Sequence, residues 1–155
     1  MFEFLSKSNL YAPTRGKTVP IEQVEDELFS KKLLGDGMAI ICENNDICAP
    51  CDGELTMVFP DGHAFGINNK DGIEVLVHIG LDSAALNGKG CKILKQAKSK
   101  IKKGDKIIEI DLEYFKQKNI VPIILMVITN CNNKTCIFEY PEFVLSFKTK
   151  VATIL

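Results

Sequence analysis

Only two histidines occur in the 155 residues, His63 and His78. Neutral imidazole has a free ring nitrogen near physiological pH, and a close pair of such rings admits three chemistries. Both can be structural, packed at a strand surface with ordinary hydrogen bonds. They can form half of a tetrahedral zinc site, completed by a cysteine or a carboxylate. Or one can act as a nucleophile while the other orients it and steadies incoming negative charge. The neighbourhood favours the third. Gly80 follows His78 closely and, lacking a Cβ, lets another molecule approach the strand end. Asp82 comes next, and Phe65 and Leu76 supply apolar surface. No glycine-rich phosphate loop is present, because Gly35-Asp36-Gly37 is too short and opens onto the strand pattern Met38-Ala39-Ile40-Ile41. Any phosphoryl group would arrive already activated on a partner.

The elements that must bring the rings together are two strands. His63-Ala64-Phe65-Gly66-Ile67 alternates, as does Gly72 to Ile79, with Ile73, Val75, Val77 and Ile79 on one face and Glu74, Leu76 and His78 on the other. Asn68 to Gly72 is turn chemistry, rich in residues that tolerate positive φ. A four-residue loop, 69–72, sets Asn68 against Ile73, Phe65 against Leu76 and His63 against His78. Opposed residues share a face, with Cβ atoms about 4.5–5.5 Å apart. A loop one residue longer or shorter sends the imidazoles to opposite faces.

Elsewhere, short β-rich segments between turn signals dominate. Leu10 to Val19 and Ile47 to Thr56 share an apolar-x-Ala-Pro-x-x-Gly pattern, a weak internal repeat in which each copy reads as strand, turn and return strand. Gly104 to Asp111, Val121 to Thr129 and Cys136 to Phe147 read as further strands. Short helices are expected over Ile21–Lys32, Lys92–Ile101 and Glu113–Lys118. The spacing predicts an all-β antiparallel sandwich, barrel-like, with a few helical turns, as one domain over 1–155. A chain of this length, 46% hydrophobic, buries about 68–70% of its unfolded surface, enough for its own core.

A formal net charge of −1, from 19 basic and 20 acidic side chains, gives no bulk electrostatic case for nucleic acid. The lysine-rich stretch 92–106 lacks interleaved aromatics for base stacking and reads as a solvated face. The N-terminus has neither a basic start nor an apolar core of the kind that directs export. The apolar run Ile120–Ile128 is far short of the roughly 20 residues a membrane helix needs. No membrane insertion and a cytoplasmic, monomeric protein are therefore expected. The six cysteines, including Cys48-Ala49-Pro50-Cys51, are expected to be reduced and inert, since no helical pattern follows Cys51 as a redox motif requires.

These residues resemble the glucose-family IIA component of the bacterial phosphoenolpyruvate-dependent sugar phosphotransferase system, over nearly the whole chain. The carrying motifs are Gly35-Asp36-Gly37-Met38-Ala39-Ile40, Ala49-Pro50-Cys51-Asp52-Gly53 and Phe59-Pro60-Asp61-Gly62-His63-Ala64-Phe65-Gly66-Ile67. They continue with Glu74 to Asp82, Leu86-Asn87-Gly88-Lys89-Gly90, Gly104-Asp105 through Asp111, and Thr129-Asn130. Each alone is weak; their shared order makes the match specific.

The resemblance implies a phosphocarrier. His78 matches the family's phosphorylated histidine, which takes the group on Nε2 from the phosphohistidine of the histidine-phosphocarrier protein HPr. It passes the group to a cysteine on the IIB domain of a membrane sugar permease. His63 matches the second active-site histidine, a donor to the phosphoryl oxygens. Asp36 and Asp82 match acidic residues lining the site, and Met38, Phe59, Phe65 and Leu76 the apolar docking surface. A phosphorylation-dependent regulatory module with its own target proteins is the alternative, and zinc on the histidine pair a third reading; no cofactor is required. Two departures bear on the site. Asp61 stands where the family often has threonine, and its charge would repel a phosphoryl group unless it turns away or pairs with a cation. Leu76 stands where a longer aromatic side chain is common.

Overall fold

The computed structural model describes residues 8–81, 86 and 88–155. Its centre is a set of antiparallel strands whose composition dictates their depth. In β7 (Glu74–Ile79), Val75, Val77 and Ile79 are buried while Glu74, Leu76 and His78 are not, because only one face meets the main core. The neighbouring β11 (Ile123–Asn130) is apolar without alternation from Ile123 to Ile128, and it is buried throughout that run. On its far side lies β3 (Asp36–Cys42).

These strands belong to an eight-stranded sheet. Its order is β13 (Phe143–Val144), β2 (Gly16–Val19), β3, β11, β7, β6 (Ala64–Asn68), β5 (Gly53–Val58) and β9 (Lys100–Ile101). A three-stranded sheet joins β1 (Ser8–Tyr11), β14 (Lys150–Ile154) and β12 (Cys136–Phe138). Another joins β4 (Asp46–Cys48), β10 (Lys106–Ile110) and β8 (Cys91–Ile93). Every pairing among these described strands is antiparallel. The all-β antiparallel class expected from the spacing is the one observed. The two copies of the Ala-Pro repeat lie side by side, with the Tyr11 amide donating to the Pro50 carbonyl at 2.9 Å and the Cys48 amide to that of Pro13 at 2.7 Å.

Two apolar clusters flank the large sheet. The main core joins Met38, Ile40, Phe65, Val77, Ile79 and Met126 to Leu10, Ile108 and Ile154 of the smaller sheets. Each fully buried side chain of this kind contributes about 1.5–3 kcal/mol. On the other face, Ala39, Leu125 and Val127 pack under Ile21, Val24 and Phe29. Ile21 lies in a 3-10 turn (Ile21–Gln23), Val24 directly follows it, and Phe29 lies in a short helix, α1 (Glu27–Ser30), both elements falling within the expected helical stretch. A second helix, α2 (Leu112–Gln117), overlaps the expected 113–118.

The helix expected over Lys92–Ile101 does not form. Its backbone bonds neighbouring strands instead: the Leu94 amide donates to the Ile107 carbonyl at 2.8 Å, and the Ser99 carbonyl accepts from the Leu55 amide at 2.9 Å. All six cysteines are free thiols. Burial pushes Cys48 up to about 11 and Cys51 up to about 12, so the Cys-x-x-Cys pair holds little reactive thiolate. Among the described residues, no helix is long and apolar enough to cross a membrane.

Candidate functional site

The hairpin that carries the histidines turns one residue later than expected. Asn69, not Asn68, faces Ile73: its amide donates to the Ile73 carbonyl at 3.0 Å, and its side-chain Oδ1 accepts from the Ile73 amide at 3.0 Å and from Asp71 at 2.9 Å. Gly72, at φ 77°, supplies the left-handed residue that closes such a three-residue turn. The register is therefore Asn68 to Glu74, Phe65 to Val77 and Ala64 to His78. Strict alternation would place His63 on the core side of the sheet, away from His78.

The rings nevertheless meet, with centroids 5.2 Å apart and planes at 76°. His63 precedes β6 and keeps only half of a ladder pair. Its carbonyl accepts from the Ile79 amide at 2.7 Å, while its own amide turns back to the Asp61 carboxylate at 3.2 Å. The chain bends there, after Gly62 at φ 79°, and the imidazole escapes the pleat. The expected juxtaposition is reached by a bend at the strand's entry, not by a cross-strand pair.

His78 sits near the end of β7, between Leu125 of β11 and Ala64 of β6. Phe29 of α1 packs against its ring at 5.4 Å between centroids. Its Nδ1 lies 2.8 Å from the Gly80 carbonyl. A carbonyl can only accept, so Nδ1 carries the proton and Nε2 is left with a free lone pair. Gly80 holds φ at 75°, and an added Cβ would meet nothing within 4 Å, so backbone conformation and not space calls for glycine there. Burial lowers the His78 proton affinity, helped by the nearby His63. The Gly80 carbonyl and the carboxylates of Asp26 and Asp61 pull the other way without prevailing.

His63 is braced by the edge of Phe59, at 4.7 Å between centroids, and by the Asp61 carboxylate on its Nδ1. Burial alone would raise the Asp61 carboxyl. Hydrogen bonds from the ring and amide of His63 outweigh it and hold the group below the usual carboxylate range. Asp61 thus pairs with an imidazole and does not stand as a bare anion.

Other expected residues separate. Leu76 shares the His78 face and packs on the second cluster. Phe65 and Met38 do not line the surface: both are 0% exposed and face the main core, Phe65 through its pairing with Val77 and Met38 through its pairing with Met126. Strand parity decides this, since Ala39 and Ala64 take the positions on the histidine face. Asp36 pairs with Ile128, about 10 Å along β11 from Leu125, the partner of His78. Its carboxylate binds Lys32 at 3.3 Å and the Gly37 amide at 2.8 Å, not an imidazole. Asp82 lies outside the described residues.

Two residues at the site are absent from the sequence reading of it. Phe29 walls His78, and Asp26 caps α1 through the Leu28 amide at 2.9 Å while its charge reaches His78. The cap signal Asp26-Glu27 was visible; its position over β7 was not. Exposed apolar side chains near these elements along the chain are Leu28 and Leu33, 51% and 66% exposed and on either side of Phe29 in sequence, and Val121, 59% exposed and two residues before Ile123, whose carbonyl receives the Gly80 amide. Among the described residues no group of three or more His, Cys, Asp or Glu side chains could hold a metal ion, so the histidines alone make no closed site.

Fold and site together define a small antiparallel β-protein that holds two half-buried imidazoles side by side, one of them with its Nε2 lone pair free. The description of the phosphoenolpyruvate-dependent sugar phosphotransferase system family EIIA 1 matches residues 8–134. The chain is 44% identical over 126 residues to the glucose-specific EIICBA component of that system from Staphylococcus carnosus (strain TM300), covering 81% of this chain. It spans only 19% of that relative's length. The solved structure of the glucose permease IIA from Mycoplasma capricolum superimposes with a TM-score of 0.87 at 36% identity, covering 99% of each chain. The chain belongs to the EIIA 1 family of the sugar phosphotransferase system.

Proposed function

We propose that this chain is the phosphocarrier between HPr and the IIB domain of a glucose-class sugar permease, with His78 as the residue phosphorylated. One observation carries the reading: the Gly80 carbonyl claims Nδ1 of a half-buried, neutral imidazole and leaves its Nε2 free beside a second ring. Phosphoryl transfer needs in-line positioning and charge stabilisation more than a dedicated acid or base.

The lone pair on His78 Nε2 attacks phosphorus as the donor's N–P bond breaks. A donor ring that carries its own proton leaves as neutral imidazole. His78 then bears the phosphoryl group on Nε2 and keeps Nδ1–H on the Gly80 carbonyl, which stabilises the ring's positive charge. In the second step a IIB cysteine thiolate attacks phosphorus, and His78 departs as the neutral imidazole it was. His63 donates to the phosphoryl oxygens in between. Phe29 limits water on one flank, and Leu28, Leu33 and Val121 give partners an apolar surface they can leave after transfer.

The test is incubation with phosphoenolpyruvate, the general first enzyme of the system and HPr, followed by mass-spectrometric mapping under conditions that preserve phosphohistidine. Label on Nε2 of His78 is expected. Label on His63, or none, would overturn the assignment.

A further inference from the structure

Asp61 meets His63 at two points. Its Oδ1 accepts from the ring Nδ1 and, at 3.2 Å, from the His63 amide. This double attachment, across a turn in which Gly62 takes φ 79°, holds ring and carboxylate in one relation. We propose that Asp61 is a positioning residue that keeps the Nδ1 proton on His63 and drives its Nε2 to take a solvent proton once a phosphoryl group sits on His78, so that phosphorylation brings a proton with it. The inference rests on His78 being the phosphoryl acceptor.

The reason is a hydrogen-bond inventory. With Nδ1–H committed to a carboxylate, neutral His63 offers only a lone pair at Nε2, which repels a phosphoryl oxygen. Donation toward that oxygen requires a second proton, making His63 an imidazolium. An opposite charge within about 4–6 Å favours a charged form by roughly 1–3 pKa units. The phosphorylated site supplies anions at both ends of this ring, Asp61 at Nδ1 and the phosphoryl oxygens at Nε2. A threonine hydroxyl at position 61 could orient the ring but would not stabilise its charge.

The surroundings leave His63 as the group that responds. Among the described residues, the ion-pair partner recorded for Asp61 is His63. His78 on β7 faces it as a ring that is neutral before transfer and, with its phosphoryl group, part of a net negative unit afterwards, and Phe59 presents only carbon. Asp26, at the start of α1, acts on His78. Cys91 on β8 lies near the Asp61 turn, where burial and the Asp61 charge push its thiol up to about 11 and keep it protonated.

The experiment follows the imidazole nitrogen-15 shifts of His63 against pH, in free and phosphorylated protein, for wild type, Asp61→Asn and Asp61→Thr. Mass spectrometry first establishes where each protein is phosphorylated. Thermal unfolding checks that each variant folds. In wild type, phosphorylation is expected to raise the proton affinity of His63 at least about tenfold, and Asp61→Asn to remove roughly tenfold of it. Phosphohistidine hydrolysis at neutral pH should be several-fold faster in both variants. Identical His63 titrations in the wild-type and Asp61→Asn phosphoproteins would overturn the inference while leaving the carrier reading intact. Absence of label on His78 would remove the carrier reading itself and the inference with it.

Discussion

His78 and His63 lie ring to ring, yet the chain holds them by opposite means. His78 belongs to the ladder: it is paired on both sides, walled by Phe29, and bound at Nδ1 by a backbone carbonyl that carries no charge. His63 stands at the entry to β6, half released from pairing, and is bound at Nδ1 by a carboxylate. Burial keeps the His78 imidazole neutral against the pull of its carbonyl partner, and that carbonyl aims the other ring nitrogen outward. The carboxylate at Nδ1 of His63 carries a charge where the carbonyl at Nδ1 of His78 has none. One residue type is thereby held in two settings, and the proposed roles of nucleophile and donor rest on burial together with the partner at Nδ1.

Removing the nucleophile breaks this comparison most completely. His78→Ala should lower labelling from phospho-HPr at least about a thousandfold, read by incorporated phosphate. His63→Ala should still accept the group but pass it onward about a hundredfold more slowly, the scale of losing one charge-stabilising donor, measured by single-turnover transfer to a IIB domain. If both variants fail equally at the first step, the division of labour is wrong.

Smaller perturbations sharpen it. Phe29→Ala should cost about 3 kcal/mol in denaturant unfolding. Because burial lowers the His78 proton affinity below its ordinary 6.5, the neutral acceptor persists at pH 6.5, and acceptance fails only as pH falls further. The same shift adds stability above pH 6.5 that is lost as pH drops. Opening the Phe29 wall should move the acid limb of the transfer rate upward, toward 6.5. Gly80→Ala is the mildest change: the Cβ finds open space, so the positive φ alone sets a cost of about 1–2 kcal/mol, together with a measurable loss of Nδ1–H order by NMR.

Much of the fold is legible because apolar alternation is a local record of burial. The strands around Val75, Ile107 and Ile124, the helical turns near Phe29 and Phe115, and the existence of the Ala-Pro repeat follow from short-range pattern, while the pairing of its two copies does not. The Lys92–Ile101 stretch misleads because its polar composition suits a helix, while β5 and β10 take its backbone hydrogen bonds. The meeting of His63 with His78 was legible by an imperfect route, whereas Phe65, Met38 and Asp36, also expected there, do not stand at the rings. Asn69 closes the hairpin with its side chain, a choice among loop lengths that alternation cannot make, and that single step carries Phe65 into the core. Met38 and Asp36 likewise depend on which face of β3 meets which cluster.

The sequence by itself determined the class, the motif order and the residues able to do chemistry, because hydrophobic period and residue type are properties of the chain. Tertiary structure alone decided that His78 gives Nδ1 to Gly80, that His63 leaves the pleat toward it, and that Asp26 and Phe29 arrive from another element. Those outcomes depend on register, on a bend at a strand's entry and on packing between distant segments, and no local pattern encodes them.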